Sequence, residues 1–330
     1  MFRKTLILTL LITLLVGCAP APQTTPEVDP APTEVASTEA AATEAPTEEA
    51  AALTFTDGLG REVTLAAPAQ RIVTLAPSLT EFVFAVGAGE QLVGRDDLSD
   101  FPAEAANAAS IGSTFGDLNT EAILAFEPDL VLAAEINTPE QVQELESLGL
   151  TVYYLSNPLT YDELYEQVNL FGQLTGHEEE AAALAESLAA RVEAVTSAIA
   201  TAAEKPTVFY EIDGTDPAKP WTTGPGTFMD TMITLAGGVN IGGVLSDAFA
   251  QISAEEIVAQ DPDIIILGDV VYGVTIESVA ERAGWADLTA VKEGSIFAFD
   301  DNLASRPGPR LVDGLEELLK ILHPELVITQ

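Results

Sequence analysis

The chain has 330 residues, with 52 acidic against 13 basic side chains, a formal net charge of −39 and 47% hydrophobic residues. This length fits one large or two ordinary globular domains. The negative charge argues against binding to nucleic acid or to an anionic membrane surface. One cysteine and two histidines exclude an intrachain disulfide, an iron–sulfur cluster and a multi-histidine metal site, so we expect no metal and no resident cofactor.

The first 18 residues have the pattern of a lipoprotein signal. Arg3 and Lys4 precede an apolar run over residues 5–16, which is too short to span about 30 Å of hydrocarbon. The run is followed by Gly17 and Cys18, the only cysteine, at the place where a lipobox ends. We predict a signal peptide over residues 1–17 and a lipid on Cys18, which would hold the protein on the outer face of the cytoplasmic membrane. The alternative is an ordinary signal peptide with a chance cysteine.

Residues 18–52 have the composition of a tether. Residues 19–52 contain six prolines, seven acidic residues and no Lys or Arg. A segment with so little apolar surface does not offset the entropy lost on ordering. We therefore expect a disordered Thr/Glu/Ala/Pro linker that holds the globular part on the order of 30 Å from the bilayer.

From residue 53 onwards, short apolar runs alternate with amphipathic segments. Strands followed by helices predict βαβ units and a mostly parallel sheet. The predicted buried strands are residues 72–75, 130–133, 152–155, 208–212, 264–267 and 296–299. A helix of about 26 residues is predicted to begin at Glu178, because its larger apolar residues recur every three or four positions without Gly or Pro. We predict an N-terminal α/β lobe over residues 53–177, a bridging helix over 178–204 and a C-terminal α/β lobe over 205–330.

A repeat relates the two predicted lobes. Residues 119–133 match residues 253–267 at a constant offset of 134, and Glu121 aligns with Glu255. In each copy a capping residue opens a short helix, Pro-Asp ends it, and a buried strand follows. Phe115 and Phe249 each precede the aligned glutamate by six residues, so each lobe is predicted to place an aromatic in a loop that faces a cleft. Burial of these aromatics in the core is the alternative.

Several motifs resemble one family. They include Ile-Val-Thr-Leu-Ala-Pro-Ser-Leu-Thr-Glu ending at Glu81, Glu-Pro-Asp-Leu-Val ending at Val131, and Arg-Pro-Gly-Pro-Arg ending at Arg310. In this order they are similar to the class III substrate-binding proteins of ABC importers, which bind cobalamin, haem and ferric siderophores outside the cytoplasm. The resemblance covers residues 53–325. It implies an α/β fold of two Rossmann-like lobes bridged by one long helix, with a metal chelate held in the cleft between them.

The resemblance also implies roles for individual residues. It places Phe115, Trp221 and Phe249 against the chelate, although Trp221 could instead fill a gap between a loop and its lobe. We also predict Ser78 and Arg306 as ligand contacts, Arg306 because only eleven basic residues remain in the globular part and it lies near a predicted loop motif, although it could instead pair within the chain. The resemblance places Glu121 and Glu255 where each lobe docks on a permease dimer that works with an ATPase. A stabilising interaction with the helix dipole is a sufficient and compatible explanation for each glutamate. We expect a monomer.

Other cleft contacts and other functions stay open. Arg95 and Arg310 could contact an anionic ligand or could pair within the chain, and Tyr210, Tyr272 and Asp300 are further loop candidates. The sequence has neither a Gly-x-Ser-x-Gly nor a His-Glu-x-x-His motif, and both histidines, His177 and His323, are predicted to terminate helices at the surface. We therefore predict that the protein is not an enzyme. A haem transport protein and a ligand-sensing lipoprotein for a signalling receptor are the alternatives to corrinoid or siderophore import.

Overall fold

The computed structural model describes residues 52–326. The predicted signal peptide, Cys18 and the tether up to residue 51 therefore lie outside the described residues. The described part begins with an antiparallel hairpin of β1 (Leu53–Thr56) and β2 (Glu62–Leu65).

The N-terminal lobe contains a sheet of five parallel strands. Its strands are β3 (Ile72–Thr74), β4 (Leu92–Arg95), β5 (Ala109–Ser110), β6 (Leu130–Ala134) and β7 (Val152–Leu155). Their order in space is β5-β4-β3-β6-β7, so the chain changes direction between β3 and β6. A switch of this kind leaves a crevice at the carboxyl ends of the strands. The helices of this lobe are α1 (Pro77–Ala85), α2 (Thr120–Ala125), α3 (Pro139–Ser147) and α4 (Tyr161–Thr175).

The C-terminal lobe contains a mixed sheet of six strands. Its strands are β8 (Thr207–Asp213), β9 (Trp221–Thr223), β10 (Val239–Asn240), β11 (Phe249–Gln251), β12 (Ile264–Leu267) and β13 (Ile296–Ala298). Their order is β11-β9-β8-β12-β13 with β10 also on β8, and only β9 and β11 are antiparallel to their neighbours. The helices of this lobe are α6 (Phe228–Leu235), α7 (Ala254–Gln260), α8 (Ile276–Ala280), α9 (Thr289–Glu293), α10 (Asn302–Ser305) and α11 (Leu311–Leu322).

All six predicted strands are present, and none of their ends is shifted by more than one residue. They were predictable because alternate side chains pack on opposite sides of each sheet and both sides are buried. In β6, for example, Leu130 and Leu132 join one hydrophobic cluster while Val131 and Ala133 join another. The other strands, which are β1, β2, β4, β5, β9, β10 and β11, were not predicted, because none of them is a continuous run of buried residues.

The long helix between the lobes is α5 (Glu178–Ile199), with 22 residues or about 33 Å. It is shorter than the predicted length of about 26 residues, because the Thr201 amide and hydroxyl both bond the Ala198 carbonyl and close the last turn. Its N-terminal part packs closely on α4, where Gly172 faces Ala181 and leaves no room for a Cβ. Farther along, Arg191 pairs with Asp313 and Glu316 of α11, so α5 contacts helices of both lobes.

One hydrophobic cluster runs through both lobes. It contains one side of each sheet together with buried residues of α1, α4, α5, α6 and α11. Tyr161 of α4 packs edge-on against Phe228 of α6 at 5.0 Å and donates a hydrogen bond to the Leu311 carbonyl of α11. A shared core of this kind opposes large movements of one lobe against the other.

The sequence repeat is also a structural repeat. Glu127 and Asp261, which are 134 positions apart, both adopt the left-handed backbone conformation, with φ of 46° and 45°. Two residues later, Asp129 accepts the backbone amides of Gln70 and Arg71, and Asp263 accepts the Thr207 amide. Each aspartate thus joins the start of its own strand to the start of the central strand beside it. The two lobes are built from the same unit.

The prediction that both histidines terminate helices at the surface is wrong for His323. This residue follows α11 as predicted but is 3% exposed, and its ring packs on Gly237 after α6. His177 lies beside Gly87 after α1 and is partly exposed. A local pattern predicts where a helix ends but not which element covers that end.

Candidate functional site

The carboxyl ends of both sheets meet at a cavity of about 570 Å³. Its N-terminal wall follows β6 and β7 and consists of Glu135, residues 156–159 and Glu163. Its C-terminal wall comes from the end of β8, the start of α6, β11 and the segment around α10. The volume lies within the range of small-molecule sites, and the position at strand ends is the usual one in α/β proteins. A cavity of about 640 Å³ near Phe84 and Glu90 is lined by the N-terminal lobe alone.

Apolar side chains form much of the cavity wall. Those lining it are Pro158, Leu159, Ile212, Phe228, Met229, Ala248, Phe249, Ala304 and Pro307. Phe249 is 53% exposed although it is large and apolar. A flat aromatic surface left open beside a cavity can pack against a planar or apolar ligand.

A buried polar network supports the C-terminal wall. The Tyr210 hydroxyl donates to Asp301 Oδ1 at 2.7 Å, and Asp301 lines the cavity. Burial raises the pKa of Asp301, and the charges of Asp300 and Asp269 raise it further, against the hydrogen bonds from Tyr210 and Ser305. The cavity wall is therefore polar at Asp301, and the hydrogen bond from the buried Tyr210 hydroxyl holds this carboxylate in place.

A buried ion pair lies in the same lobe. Arg282 donates two hydrogen bonds to Glu211, whose side chain is 0% exposed, and its guanidinium lies 4.6 Å from the centre of the Trp285 ring. Burial raises the pKa of Glu211 despite the arginine, and Asp269 adds to this shift. Asp269 accepts the Gly214 amide at 2.6 Å through Oδ2. These contacts hold the end of β8, which carries Ile212 into the cavity.

The two lobes are joined by a cluster around Glu81 of α1. Arg310 donates two hydrogen bonds to its carboxylate at 2.8 and 2.6 Å, and Arg306 lies 3.4 Å from it. Arg306 also bonds Asp100 at 2.6 Å, and the Arg310 guanidinium stacks on Phe101 at 4.0 Å. Burial opposes ionisation of Asp100, but its hydrogen bond to Arg306 and the charge of Arg306 lower its pKa overall.

The structure brings only some of the predicted ligand residues to the cavity. Phe249 lines it, and Trp221 lies on the same face of the β9–β11 pair, where Trp221 is opposite Gln251 and Phe249 is opposite Thr223. Phe115 is 62% exposed in the loop after β5, outside the cavity wall. The ligand roles of these three aromatics stay predictions.

The other predicted contacts are engaged within the protein. Ser78 is 4% exposed in the first turn of α1, and Arg306 is held by Glu81 and Asp100. Arg95 donates to the carbonyls of Ala105 and Asp96. Of the loop candidates, Tyr210 is 1% exposed and Tyr272 is 84% exposed.

Glu121 and Glu255 occupy equivalent, exposed positions. Each is in the first turn of its short helix, and the turn is capped by Asn119 in α2 and by Ser253 in α7. The Glu256 carboxylate accepts a hydrogen bond from Gln260 of the same helix. In a parallel α/β unit the start of a helix lies at the carboxyl edge of the sheet, so both glutamates lie at the edge that carries the cavity.

Sequence reasoning missed most of the cavity wall. Glu135, Ser156 and Asn157 directly follow predicted strands, and this position was the available signal for them. Asp301 likewise lies within two residues of the end of the predicted strand over residues 296–299, whereas Met229 had no such signal, because it lies in α6. Between residues 52 and 326 no group of His, Cys, Asp or Glu side chains could hold a metal ion, and no helix is long and apolar enough to cross a bilayer.

Two similar lobes, a shared core and a partly apolar cavity between the lobes define a binding protein that holds a small molecule at the carboxyl edges of its sheets. Comparison with known proteins agrees. The family model described as periplasmic binding protein matches residues 72–303. The chain belongs to this family of extracytoplasmic substrate-binding proteins.

Three similar proteins illustrate the relationship. The uncharacterized ABC transporter substrate-binding lipoprotein YvrC of Bacillus subtilis is 30% identical over 278 residues, covering 83% of this chain and 86% of YvrC. A cobalamin-binding protein of Halobacterium salinarum is 30% identical over 279 residues, covering 82% and 74%. The structure of the periplasmic heme-binding protein RhuT from Roseiflexus sp. RS-1 aligns with a TM-score of 0.70 at 27% identity, covering 77% of this chain and 98% of RhuT.

Proposed function

We propose that this protein captures a metal chelate, a cobalamin-type corrinoid or a ferric siderophore, and delivers it to the permease of an ABC importer. The cavity between the lobes carries the proposal, because its apolar wall and the open Phe249 ring suit a large, partly apolar ligand. The relatives named as ABC substrate-binding and cobalamin-binding proteins support the same function. The match to the family of periplasmic binding proteins supports a binding role without catalysis.

Haem is the second candidate, because RhuT is named as a heme-binding protein. Haem iron is usually held by His, Cys, Tyr or Met. Among the described residues, the cavity wall offers Met229 and neither histidine. A titration of the purified protein with cyanocobalamin, ferrioxamine B and haem would decide between the candidates. Failure of both cyanocobalamin and ferrioxamine B to bind below millimolar concentration would contradict the main proposal.

Replacing Phe249 or Trp221 with Ala should weaken binding of the preferred chelate. Loss of one stacked aromatic costs about 1 to 3 kcal/mol, which is a roughly 5- to 150-fold increase in Kd. Isothermal titration of each variant measures this change. The control is Leu148→Ala, which removes an equally exposed apolar side chain at the far end of α3 and should leave the Kd unchanged. A wild-type Kd in both aromatic variants would remove these rings from the site.

We further propose that a lipid on Cys18 anchors the protein to the outer face of the cytoplasmic membrane. The sequence pattern of the first 18 residues supports this anchor, as does the description of YvrC as a lipoprotein. Cys18→Ser should move the protein from the membrane fraction to the soluble extracytoplasmic fraction, because the predicted tether offers no basic patch or apolar segment to replace the lipid. Fractionation after a high-salt wash measures the change, with chelate affinity as the control. A variant that stays on the membrane contradicts lipidation at this residue.

A further inference from the structure

The charged side chains in the described cavity wall are all acidic. Glu135 and Glu163 lie on the N-terminal wall and Asp301 on the C-terminal wall. Among the described residues that line the cavity there is no Lys, Arg or His. A ligand between the lobes is therefore approached by carboxylates from both sides.

The protein itself holds each carboxylate in place. Glu135 Oε1 accepts the Asn157 amide at 3.1 Å, and Glu163 Oε2 accepts the Leu159 amide at 2.7 Å. Both amides belong to the loop that lines the cavity after β7. Asp301 Oδ1 accepts the Tyr210 hydroxyl. One oxygen of each carboxylate is thus fixed by the protein, and the second can accept a hydrogen bond from a ligand.

The arginines paired with Glu81 and Glu211 do not supply a compensating charge. Arg306 and Arg310 are both bound to Glu81, with 14% of each side chain exposed, and Arg282 is bound to Glu211. Each of the other arginines between residues 52 and 326 also bonds a carboxylate or a backbone carbonyl, and these are Arg61, Arg71, Arg95 and Arg191. Outside the described residues the chain has only two basic residues, Arg3 and Lys4, both within the predicted signal peptide.

An anionic ligand in this cleft would lose hydration without gaining an opposite charge from the side chains that line the cavity, and it would face three carboxylates in a partly apolar cavity. A neutral ligand rich in N–H donors would instead satisfy their free oxygens, and a cationic ligand would also gain charge attraction. We infer that the cleft discriminates by charge: it accepts metal chelates that are cationic or neutral with hydrogen-bond donors, and it rejects anionic ones. This inference rests on the proposed function, because it assumes that the ligand is a chelate bound in this cavity.

Two series of ligands test the inference. Within each series the metal chelate stays nearly the same and its net charge changes. The first is ferrioxamine B, its N-acetyl derivative and its N-succinyl derivative, with net charges of about +1, 0 and −1 near neutral pH. The second is aquocobalamin, cyanocobalamin and a cyanocobalamin carboxylic acid in which one peripheral amide has been hydrolysed. In the series whose parent chelate binds, we expect the cationic form to bind most tightly and the anionic form most weakly. The affinity should fall by about tenfold for each unit of charge at low salt. The steps should shrink as salt is added, because ions screen the carboxylates.

Variants test whether this dependence of affinity on ligand charge, called the charge order below, comes from Glu135, Glu163 and Asp301. Glu135→Gln and Glu163→Gln, separately and together with Asp301→Asn, should progressively flatten the order while the neutral ligand still binds. The glutamine oxygens can still accept the Asn157 and Leu159 amides, so the single variants should fold even if the triple variant does not. Glu144→Gln is the matched control, since this exposed carboxylate of α3 does not line the cavity and should leave the order intact.

The outcomes separate the inference from the proposed function. Binding of a parent chelate with equal or tighter affinity for its anionic form overturns the inference and leaves the proposed function standing. A charge order that stays as steep as in the wild type in both single glutamate variants and in Asp301→Asn also overturns it. If neither parent chelate binds in any charge state, the proposed function fails and the inference fails with it.

Discussion

Reversing the charges of Glu121 and Glu255 together should abolish chelate uptake by cells and leave chelate affinity unchanged. Both side chains are exposed in the first turn of equivalent helices, and neither lines the cavity. Neither takes part in an ion pair among the described residues. A carboxylate without an internal partner, repeated at the same edge of two similar lobes, suits recognition by two similar permease subunits.

Uptake of a labelled chelate in cells that depend on this protein measures the effect. The helix dipole is the confounder, because losing a favourable carboxylate costs about 0.3 to 1 kcal/mol at each site and a lysine adds repulsion. A matched control changes Glu140 and Glu277 to Lys, since these glutamates also lie in the first turns of exposed helix ends, α3 and α8, outside the repeat. The Gln pair at 121 and 255 separates loss of charge from its reversal.

Normal uptake by a stable Glu121→Lys/Glu255→Lys variant that still binds the chelate would contradict permease docking through these residues. Equal loss of uptake in the Glu140→Lys/Glu277→Lys control would contradict it as well, because the effect would then follow from general charge or stability. Only loss confined to the repeated pair supports the proposal.

Glu81→Gln should destabilise the protein by about 3 to 5 kcal/mol, the cost of removing one partner from a buried ion pair. The Glu81 side chain is 2% exposed and is shared by Arg306 and Arg310 of the other lobe. Arg306 retains Asp100, but Arg310 loses the carboxylate that accepts its two hydrogen bonds. Chemical denaturation measured at neutral pH gives the change in the free energy of unfolding.

Asp100→Asn is the control for this experiment, because it removes a carboxylate of the same cluster whose side chain is 72% exposed. Exposed ion pairs contribute about 0 to 1 kcal/mol, so the loss should be small. The lowered pKa of Asp100 means that its contribution is present at neutral pH and is lost as the pH falls from about 3.9 through the lower pKa of the folded state. If Glu81→Gln lowered the free energy of unfolding no more than Asp100→Asn does, the ion pairs of Glu81 would not be what holds the two lobes together.

Family and architecture were accessible from the sequence because they depend on local patterns. The buried strands β6 and β12 are continuous apolar runs, and Pro128-Asp129 and Pro262-Asp263 mark where each of them begins. The repeat of these patterns at a fixed offset indicated two related lobes, and the structure contains the same hydrogen bonds in both. The apolar periodicity of α5 predicted its start at Glu178, but a single closing turn shortened its end.

The sequence by itself determined that the chain forms two related α/β units joined by one long helix, because burying apolar runs at the strand and helix periods allows few other arrangements. Only the tertiary structure decided which polar side chains are free to meet a ligand. Arg306 and Arg310 could have faced the cleft, but they pair with Glu81 of the other lobe, which is more than 200 residues away in sequence. Packing of the two lobes also brings three acidic side chains from distant segments to one cavity, namely Glu135, Glu163 and Asp301. Contacts between distant segments depend on how the two lobes pack against each other. They therefore cannot be predicted from the spacing of residues within a short stretch of sequence.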